Sequence, residues 1–416
     1  MLSEDESDPL LKSALEEYQD DAAVRELVAA VRQYSSMPLT SGNRVGALID
    51  GPQTYAAIEA DLKAARHHIH LETFIFGADE IGRRFGELLA QKRKEGVEVR
   101  VLYDSIGSMD TPKDFFEQLR QQGIEVREFR PMNPVKNPRI WDIHNRDHRK
   151  IIVIDGKVGF TGGINIDSTY SSPSSSRPGP KRGIDDGWRD THMRIQGPAV
   201  KQLQTLFLQS WAEAGEPLPA KQGDRYLPAV PSPGNTLITI VGNDSESDDR
   251  SLYGTYLAAF KQSSRRLWIT HAYFAPNPEL LDALVDAARR GVDVRLIVPA
   301  FTDSRIVLNA TQSTFTPLLN AGVKIYELKD ALLHAKSVVI DGSVSIVGSA
   351  NLDMRSFLHN DEVNAIVIDR DFGQRMEEVF KRDERASRPV TLERWQKRSL
   401  WQRFKEFGVK LFGYWI

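Results

Sequence analysis

The chain contains no cysteine, which excludes disulfides and thiolate zinc sites and leaves the redox compartment open. No run approaches the roughly 18–20 apolar residues of a membrane span, so no transmembrane helix is expected and any membrane contact would be peripheral. The N-terminus has neither a basic n-region nor an apolar h-region, so no signal peptide is expected. A strong excess of one charge is also missing. The net charge is −3 over 416 residues, far from the basic balance of a general nucleic-acid binder, and no nucleic-acid partner is expected. The charge is uneven: residues 1–21 hold eight acids against Lys12, a net of −7, which leaves +4 for the remainder. Apolar content of 41% and charged content of 27% are those of a globular protein, and the length suits two domains.

What is present is one short pattern, twice. The first copy is His148-Arg149-Lys150, then Asp155, Gly162-Gly163, Asn165 and Asp167. The second is His334-Ala335-Lys336, then Asp341, Gly348-Ser349, Asn351 and Asp353. Counted from each histidine, the lysine falls at +2, the first aspartate at +7, the small pair at +14 and +15, the asparagine at +17 and the second aspartate at +19. Agreement at that many positions marks a duplicated half-site rather than two chance motifs.

Each copy reads as a strand, with an apolar run (Ile151 to Ile154; Val338 to Ile340) ending at Asp-Gly. Residues i and i+2 share a strand face, so His148 projects with Lys150 and His334 with Lys336. An ammonium beside an imidazole suits an anionic substrate: the lysine holds a phosphate oxygen while the imidazole attacks phosphorus or carries a proton. Asn165 and Asn351 add amide donors for the non-bridging oxygens. Two such halves facing each other supply a nucleophile and a proton donor on opposite sides of one phosphorus. Zinc would need three or four converging ligands, and a lysine beside each histidine repels a cation; neither metal nor cofactor is expected. Asp155 and Asp341 sit at an odd offset, point to the other face, and are expected to fix the turn or a domain contact.

These two signatures resemble the His-x-Lys-x4-Asp motifs of the phospholipase D superfamily, and the resemblance runs from about Leu39 to about Lys381. It implies an α/β protein of two duplicated α-β-α sandwich domains with mixed sheets. The two would share one active site at their pseudo-two-fold interface, working without a metal through a covalent phospho-histidine. It assigns His148, Lys150 and Asn165 to one half and His334, Lys336 and Asn351 to the other. It also implies an acid further on that orients the histidine: Asp190 in the first half and Glu362 in the second. By analogy the first histidine, His148, is the nucleophile; the residues themselves leave the order open.

Within the superfamily, Leu71 to Phe76, Thr161 to Ile166, Trp188 to His192, Gly197 to Val200 and Gly348 to Phe357 are similar to bacterial cardiolipin synthases. That resemblance implies transfer of a phosphatidyl group from one phosphatidylglycerol to another, giving cardiolipin and glycerol, at the cytoplasmic face of the bacterial inner membrane. Many such synthases begin with two membrane-spanning helices; this chain resembles the shorter, peripheral kind. Hydrolysis of phospholipid or nucleic acid is the first rival. A non-catalytic scaffold is the second, and it would carry a broken motif.

The duplication extends beyond the histidines. Helical spacing over Tyr55 to Ala65 and Arg83 to Lys94, with strands over Ile69 to Phe76 and Val97 to Asp104, recurs in the second half. There the helices are Tyr253 to Ser263 and Leu280 to Arg290, and the strands Leu267 to Phe274 and Gly291 to Val298. The expected domains are an acidic leader (1–36), a first half (37–215), a linker with five prolines (216–234), a second half (235–390) and a basic amphipathic helix (391–416). The leader reads as a solvated or loosely docked arm.

Asp190 lies 42 residues after His148 but Glu362 only 28 after His334, and the excess falls in a Ser/Pro/Gly stretch, 168–187. That stretch should emerge near the site, as a lid or a solvated insertion. Arg127, Arg130, Lys136, Arg139 and Arg146, interleaved with prolines and Trp141, form either an exposed loop or a rim for anionic headgroups. In the tail, Leu400, Phe404, Phe407, Leu411 and Trp415 recur at helical spacing opposite Arg398, Arg403, Lys405 and Lys410. Such a helix suits a membrane interface, or packs on protein.

Overall fold

The computed structural model describes residues 8–132, 144–174, 187–219, 223–247, 249–302, 304–399 and 402. Lys136, Arg139 and Trp141, residues 175–186 of the Ser/Pro-rich stretch, and the apolar stripe of the tail from Leu400 lie outside them.

The first half contributes strands β1 (Thr40–Ile49), β2 (His68–Thr73), β3 (Glu98–Asp104), β4 (Glu125–Phe129), β5 (Ile151–Ile154), β6 (Val158–Gly162) and β7 (Thr191–Gln196). The second contributes β8 (Thr236–Gly242), β9 (Arg266–His271), β10 (Asp293–Pro299), β11 (Lys324–Leu328), β12 (Lys336–Ile340), β13 (Val344–Gly348) and β14 (Val363–Ile368), and β15 (Ser387–Val390) follows. Within each half the order is the same. β4-β3-β2-β5-β6-β7-β1 is matched by β11-β10-β9-β12-β13-β14-β8, with β15 on the β11 edge. The first three strands of each series pair in parallel and the rest antiparallel.

The duplicated sandwich architecture is as expected, and the two halves are joined through their sheets. β1 and β8 pair antiparallel, Thr40 opposite Ile238 and Asn43 opposite Thr236, so the halves share a single fifteen-stranded mixed sheet. Asn43 sits at the seam. Its buried Nδ2 donates to the carbonyls of Thr40 (3.0 Å) and Thr236 (3.1 Å), covering the irregularity between the two pairs.

Local signals explain the repeated elements. Asp79 caps Glu80–Lys94 by accepting from Gly82 N–H (2.9 Å), and Asn277 caps Pro278–Arg289 by accepting from Leu280 N–H (3.0 Å). Each helix leaves through a left-handed glycine, Gly96 (φ 91°) and Gly291 (φ 92°), a conformation other residues adopt at a cost. Strands β2, β12, β13 and β14 are buried along their whole length, as expected for strands covered on both faces. Helices Val200–Glu213 and Arg370–Arg385, one from each half, cover a common core that draws Ile151, Val153, Ile240, Val339, Val347 and Val363 from both halves.

The leader is not a loose arm. Helices Pro9–Glu16 and Ala22–Tyr34 dock on the second half and complete its core with Leu11, Tyr18, Val24, Leu27, Val28 and Val31. Val24, Leu27 and Val31 are each 1% exposed. At about 1.5–3 kcal/mol per buried aliphatic side chain, that stripe outweighs whatever the acidic residues gain from solvent. The proline-rich linker is anchored as well. Tyr226 is fully buried, and its hydroxyl accepts from Arg100 Nη1 (2.7 Å). Beyond β15, helix Leu392–Gln396 sets Trp395 against Phe315, ring centroids 5.0 Å apart. Among the described residues no helix is long and apolar enough to cross a membrane.

Candidate active site

Both histidines lie just before the first residue of a central strand or its extension, and each is pinned by the opposite half. His148 N–H donates to Asp361 O (2.9 Å), where Arg146-Asp147 pairs in parallel with Asn360-Asp361. His334 N–H donates to Arg189 O (2.8 Å), beside the parallel bridge of Arg189 to Leu333. An ion pair and a buried arginine's hydrogen bonds tie the halves across the same boundary. Arg189 Nη2 meets Asp383 Oδ2 at 2.7 Å, and buried Arg149 donates to Ser210 Oγ (2.8 Å) of its own half and to Glu362 O (3.3 Å) of the other.

The acids that sequence places in each half serve the histidine of the other. His148 Nδ1–H donates to Glu362 (2.9 and 3.0 Å), and His334 Nδ1–H donates to Asp190 Oδ2 (2.7 Å). Each acid is seated by its own half. Ser349 Oγ (2.6 Å), Ser356 Oγ (2.8 Å) and Asn360 Nδ2 (3.2 Å) donate to Glu362. Asp190 accepts from Thr191 N–H (2.7 Å) and lies against Gly163, whose missing side chain makes room for it. The small residue at +15 is thus a hydroxyl donor in one half and empty space in the other.

The lysines are buried beside their histidines. Lys150 Nζ donates to His148 O (2.6 Å); Lys336 Nζ donates to His334 O and lies 3.0 Å from His334 Nδ1. Burial pulls Lys150 down to about 7, against the attraction of Glu362 and helped by the charge of Lys336. Burial likewise holds His148 down to about 4, with Glu362 opposing and Lys150 and Lys336 assisting. His334 is lowered by burial and Lys336, with Asp190 opposing. Burial alone would push Glu362 up, but His148, Lys150 and Ser349 together bring it to about 2. Asp190 is lowered in the same way, burial being outweighed by His334 and Lys336. At neutral pH each imidazole is therefore neutral, with Nδ1–H on a carboxylate and the Nε2 lone pair available. Each lysine acts on the other half's histidine, which places both half-sites in one electrostatic environment.

Asn165 and Asn351 are both buried. Asn165 Oδ1 accepts from Ile75 N–H (3.2 Å), and its Nδ2 donates to Tyr170 OH (3.3 Å). Asn351 lines a cavity next to His148. Asp155 and Asp341 lie at the far ends of β5 and β12. Asp155 accepts from the backbone N–H groups of Arg66, His67 and His68, and Asp341 from those of Ser264, Arg265 and Arg266.

Sequence reasoning missed Tyr170, whose hydroxyl lies 3.2 Å from His334 Nδ1, and Ser356, its counterpart on Glu362. It also missed Phe74, whose ring is 4.9 Å from that of His148. Carrying the repeat comparison to +22, where Tyr170 and Ser356 stand, would have found the first two. The stems of the Ser/Pro-rich stretch meet at the site, where Tyr170 and Trp188 both pack on the His334 ring.

The family model described as "Cardiolipin synthase, PLD-like domain" matches residues 58–174 and 256–384, together more than half of the chain. A cardiolipin synthase of Listeria monocytogenes serotype 4b is 36% identical over 93% of this chain and 78% of its own length. The chain belongs to the cardiolipin synthase family. Cardiolipin synthase 1 of Bacillus cereus is 34% identical over 92% of this chain and 75% of its own length. The crystal structure of phosphatidylserine synthase from Haemophilus influenzae Rd KW20 superposes with a TM-score of 0.68 at 14% identity. It covers 94% of this chain and all of that one, which extends the family's duplicated α/β fold across both halves. Both stretches of the family match enclose a histidine–lysine pair and its asparagine.

Proposed function

We propose that the protein joins two phosphatidylglycerol molecules into cardiolipin and glycerol by way of a phosphatidyl-histidine. The observation that carries this reading is the crosswise pairing of His148 with Glu362 and His334 with Asp190. It gives one site two imidazoles with the same tautomer and two opposing sources. One histidine, His148 on the resemblance, attacks phosphorus through Nε2; the anionic phosphate, once bound, favours the imidazolium of His334 beside Asp190, and the bond from phosphorus to the glycerol oxygen breaks as that imidazolium gives its Nε2 proton to the oxygen and becomes neutral. The imidazolium of the nucleophile is stabilised by its buried carboxylate, as in other histidine–acid pairs. In the second step His334 takes the proton of the incoming hydroxyl, the new P–O bond forms, and the P–N bond breaks. Lys150, Lys336 and the two asparagines hold the non-bridging oxygens as charge shifts onto them. Asp155 and Asp341 take no part in these steps; they fix the strand ends.

Both substrates carry acyl chains that stay in a bilayer, so the protein works at a membrane surface. Exposed Met109 and Met132 support this: they follow β3 and β4, whose last residues Asp104 and Phe129 accept hydrogen bonds from Arg146 of the cavity wall (2.9 and 3.2 Å). We place it on the cytoplasmic face of the bacterial inner membrane as a peripheral protein. The basic tail suits the anionic lipid of that surface.

The test is a product assay on phosphatidylglycerol vesicles with the wild type, His148→Ala and His334→Ala. Cardiolipin plus free glycerol, lost in both variants, is expected. Phosphatidic acid alone would make water the acceptor and the protein a phospholipase; no lipid turnover would overturn the lipid reading.

A further inference from the structure

The duplication is asymmetric beside the reacting centre. At +21 and +22 from the histidines the first half carries Thr169 and Tyr170, the second Arg355 and Ser356. Tyr170 fills its side, its ring centroid 5.9 Å from that of His334, and Trp188 closes in at 5.2 Å. On the other side Ser356 is smaller and turns its hydroxyl to Glu362. Space opens there: a cavity of about 280 Å³ bounded by His148, Phe74, Tyr273, Asn351, Asn360 and Arg355. That is near the lower end of the roughly 300–1,000 Å³ of small-molecule sites, a size for a headgroup rather than acyl chains.

The wall of this cavity carries unused polar groups. Asn351 Oδ1 and Asn360 Oδ1 have no hydrogen-bond partner among the described residues, although the two side chains are only 5% and 6% exposed. Buried acceptors left unpaired are uncommon and call for a ligand or water. Arg355 is exposed, and its guanidinium makes no hydrogen bond or ion pair with any described residue. Asp353, also on the wall, spends its carboxylate on Ser356 N–H (2.8 Å). Two buried acceptors and one unpaired guanidinium describe a ligand with hydroxyl groups and an anionic oxygen.

We propose that this cavity is the acceptor subsite, where Arg355 holds the phosphodiester of the incoming phospholipid while Asn351 and Asn360 accept hydrogen bonds from its glycerol. The inference rests on the transfer reaction proposed above. That reaction brings two phosphates into one site, and only one of them lies between the histidines. The second does not react: the acceptor hydroxyl forms the P–O bond at the first phosphorus, the P–N bond to histidine breaks, and the hydroxyl proton passes to the second histidine. A fork-shaped cation suits the idle phosphodiester. Water has no such handle, so Arg355 sets the partition between an anionic lipid acceptor and acceptors without a phosphate.

The experiment measures two reactions on the same phosphatidylglycerol vesicles: cardiolipin formation, and exchange of labelled free glycerol into phosphatidylglycerol. Both use the same donor step and the same membrane, and only the first has a phosphate on its acceptor. Arg355→Gln is expected to lower the ratio of cardiolipin formation to glycerol exchange at least tenfold, with Arg355→Lys recovering part of it. Equal loss of both reactions, or an unchanged ratio, overturns the subsite. A wild type that makes no cardiolipin overturns the transfer reaction and the subsite with it. A wild type that makes cardiolipin, with an unchanged ratio in Arg355→Gln, overturns the subsite alone.

Discussion

His148 and Glu362 are 214 residues apart and belong to opposite halves, yet His148 Nδ1–H donates to the Glu362 carboxylate over 2.9 Å. The mirror contact joins His334 to Asp190, 144 residues earlier, over 2.7 Å. Neither half therefore contains a complete histidine–acid pair. Duplication supplies the second member of each, and the shared sheet through β1 and β8 holds the two at hydrogen-bonding distance.

Glu362→Gln and Asp190→Asn each keep the shape of the side chain while removing the charge that fixes the tautomer and stabilises an imidazolium. By comparison with serine-hydrolase triads, where the amide replacement costs about 10⁴-fold, each variant should lose roughly 10²–10⁴-fold in kcat with KM little changed. Rapid-quench measurement of glycerol release then separates them. The acid paired with the nucleophile should slow the first glycerol burst. Equal steady-state activity of Glu362→Gln and the wild type would remove the pairing from the mechanism.

The pH dependence should be set by Lys150 on the alkaline side. Burial lowers it to about 7, so in the free protein its ammonium is present below that pH and lost as pH rises through it. Substrate phosphate favours the charged form. Hence kcat/KM should fall above about 7, while the fall in kcat should come at higher pH. His148, held down to about 4, stays neutral on the acid side of this limb and adds no break near 6. Lys150→Arg cannot deprotonate and should flatten the alkaline limb at a lower plateau. A limb that survives in Lys150→Arg assigns it to another group.

Much of this site was legible in sequence because its signals are local. The lysine at +2 and asparagine at +17 stand in both copies, and Asn277-Pro278 and Asp79 announce helix starts by their own capping chemistry. The crosswise pairing was not legible. Comparing the repeats shows that Asp190 and Glu362 are equivalent, but equivalence does not say which histidine each one reaches. The leader misled for a different reason: the eight acids of its first 21 residues dominate a count of charge, while four apolar residues at helical spacing decide where it goes. Asp155 and Asp341 were placed on the opposite strand face by parity, and the structure puts them at the strand ends on backbone amides.

Those two aspartates should matter for stability and not for turnover. Asp155 and Asp341 sit at φ 55° and 53°, where aspartate and asparagine are tolerated better than most residues. Each gathers three consecutive N–H groups from the turn before β2 or β9. Alanine would leave those donors unpaired at about 1–3 kcal/mol each where water cannot reach them. Asp341 is buried (3% exposed) and Asp155 half-buried, so Asp341→Ala should destabilise more. Denaturant titration reads the loss; activity per folded molecule should stay within about twofold. A large fall in kcat of the folded Asp341→Ala protein would place this residue in the chemistry after all.

Gly163 offers the sharpest test of how the acids are seated. A methyl group there would lie inside contact distance of both Asp190 carboxylate oxygens. Asp190 has no slack, because its Oδ1 is held by Thr191 N–H and its Oδ2 by His334. Gly163→Ala should therefore push the carboxylate off His334, with a loss of activity approaching that of Asp190→Asn. The equivalent change in the other half works the other way. Ser349→Ala removes a donor to Glu362 (2.6 Å) but leaves Ser356 and Asn360 in place, and one such hydrogen bond is worth about 1.5–3 kcal/mol to a charged group. It should cost roughly 10–100-fold and add no steric strain, so the fold should stay as stable as the lost bond allows. Combining Gly163→Ala with Asp190→Asn should cost little beyond either alone, since both act on the same contact. Additive losses would mean that Gly163 matters for some reason other than the seat of Asp190.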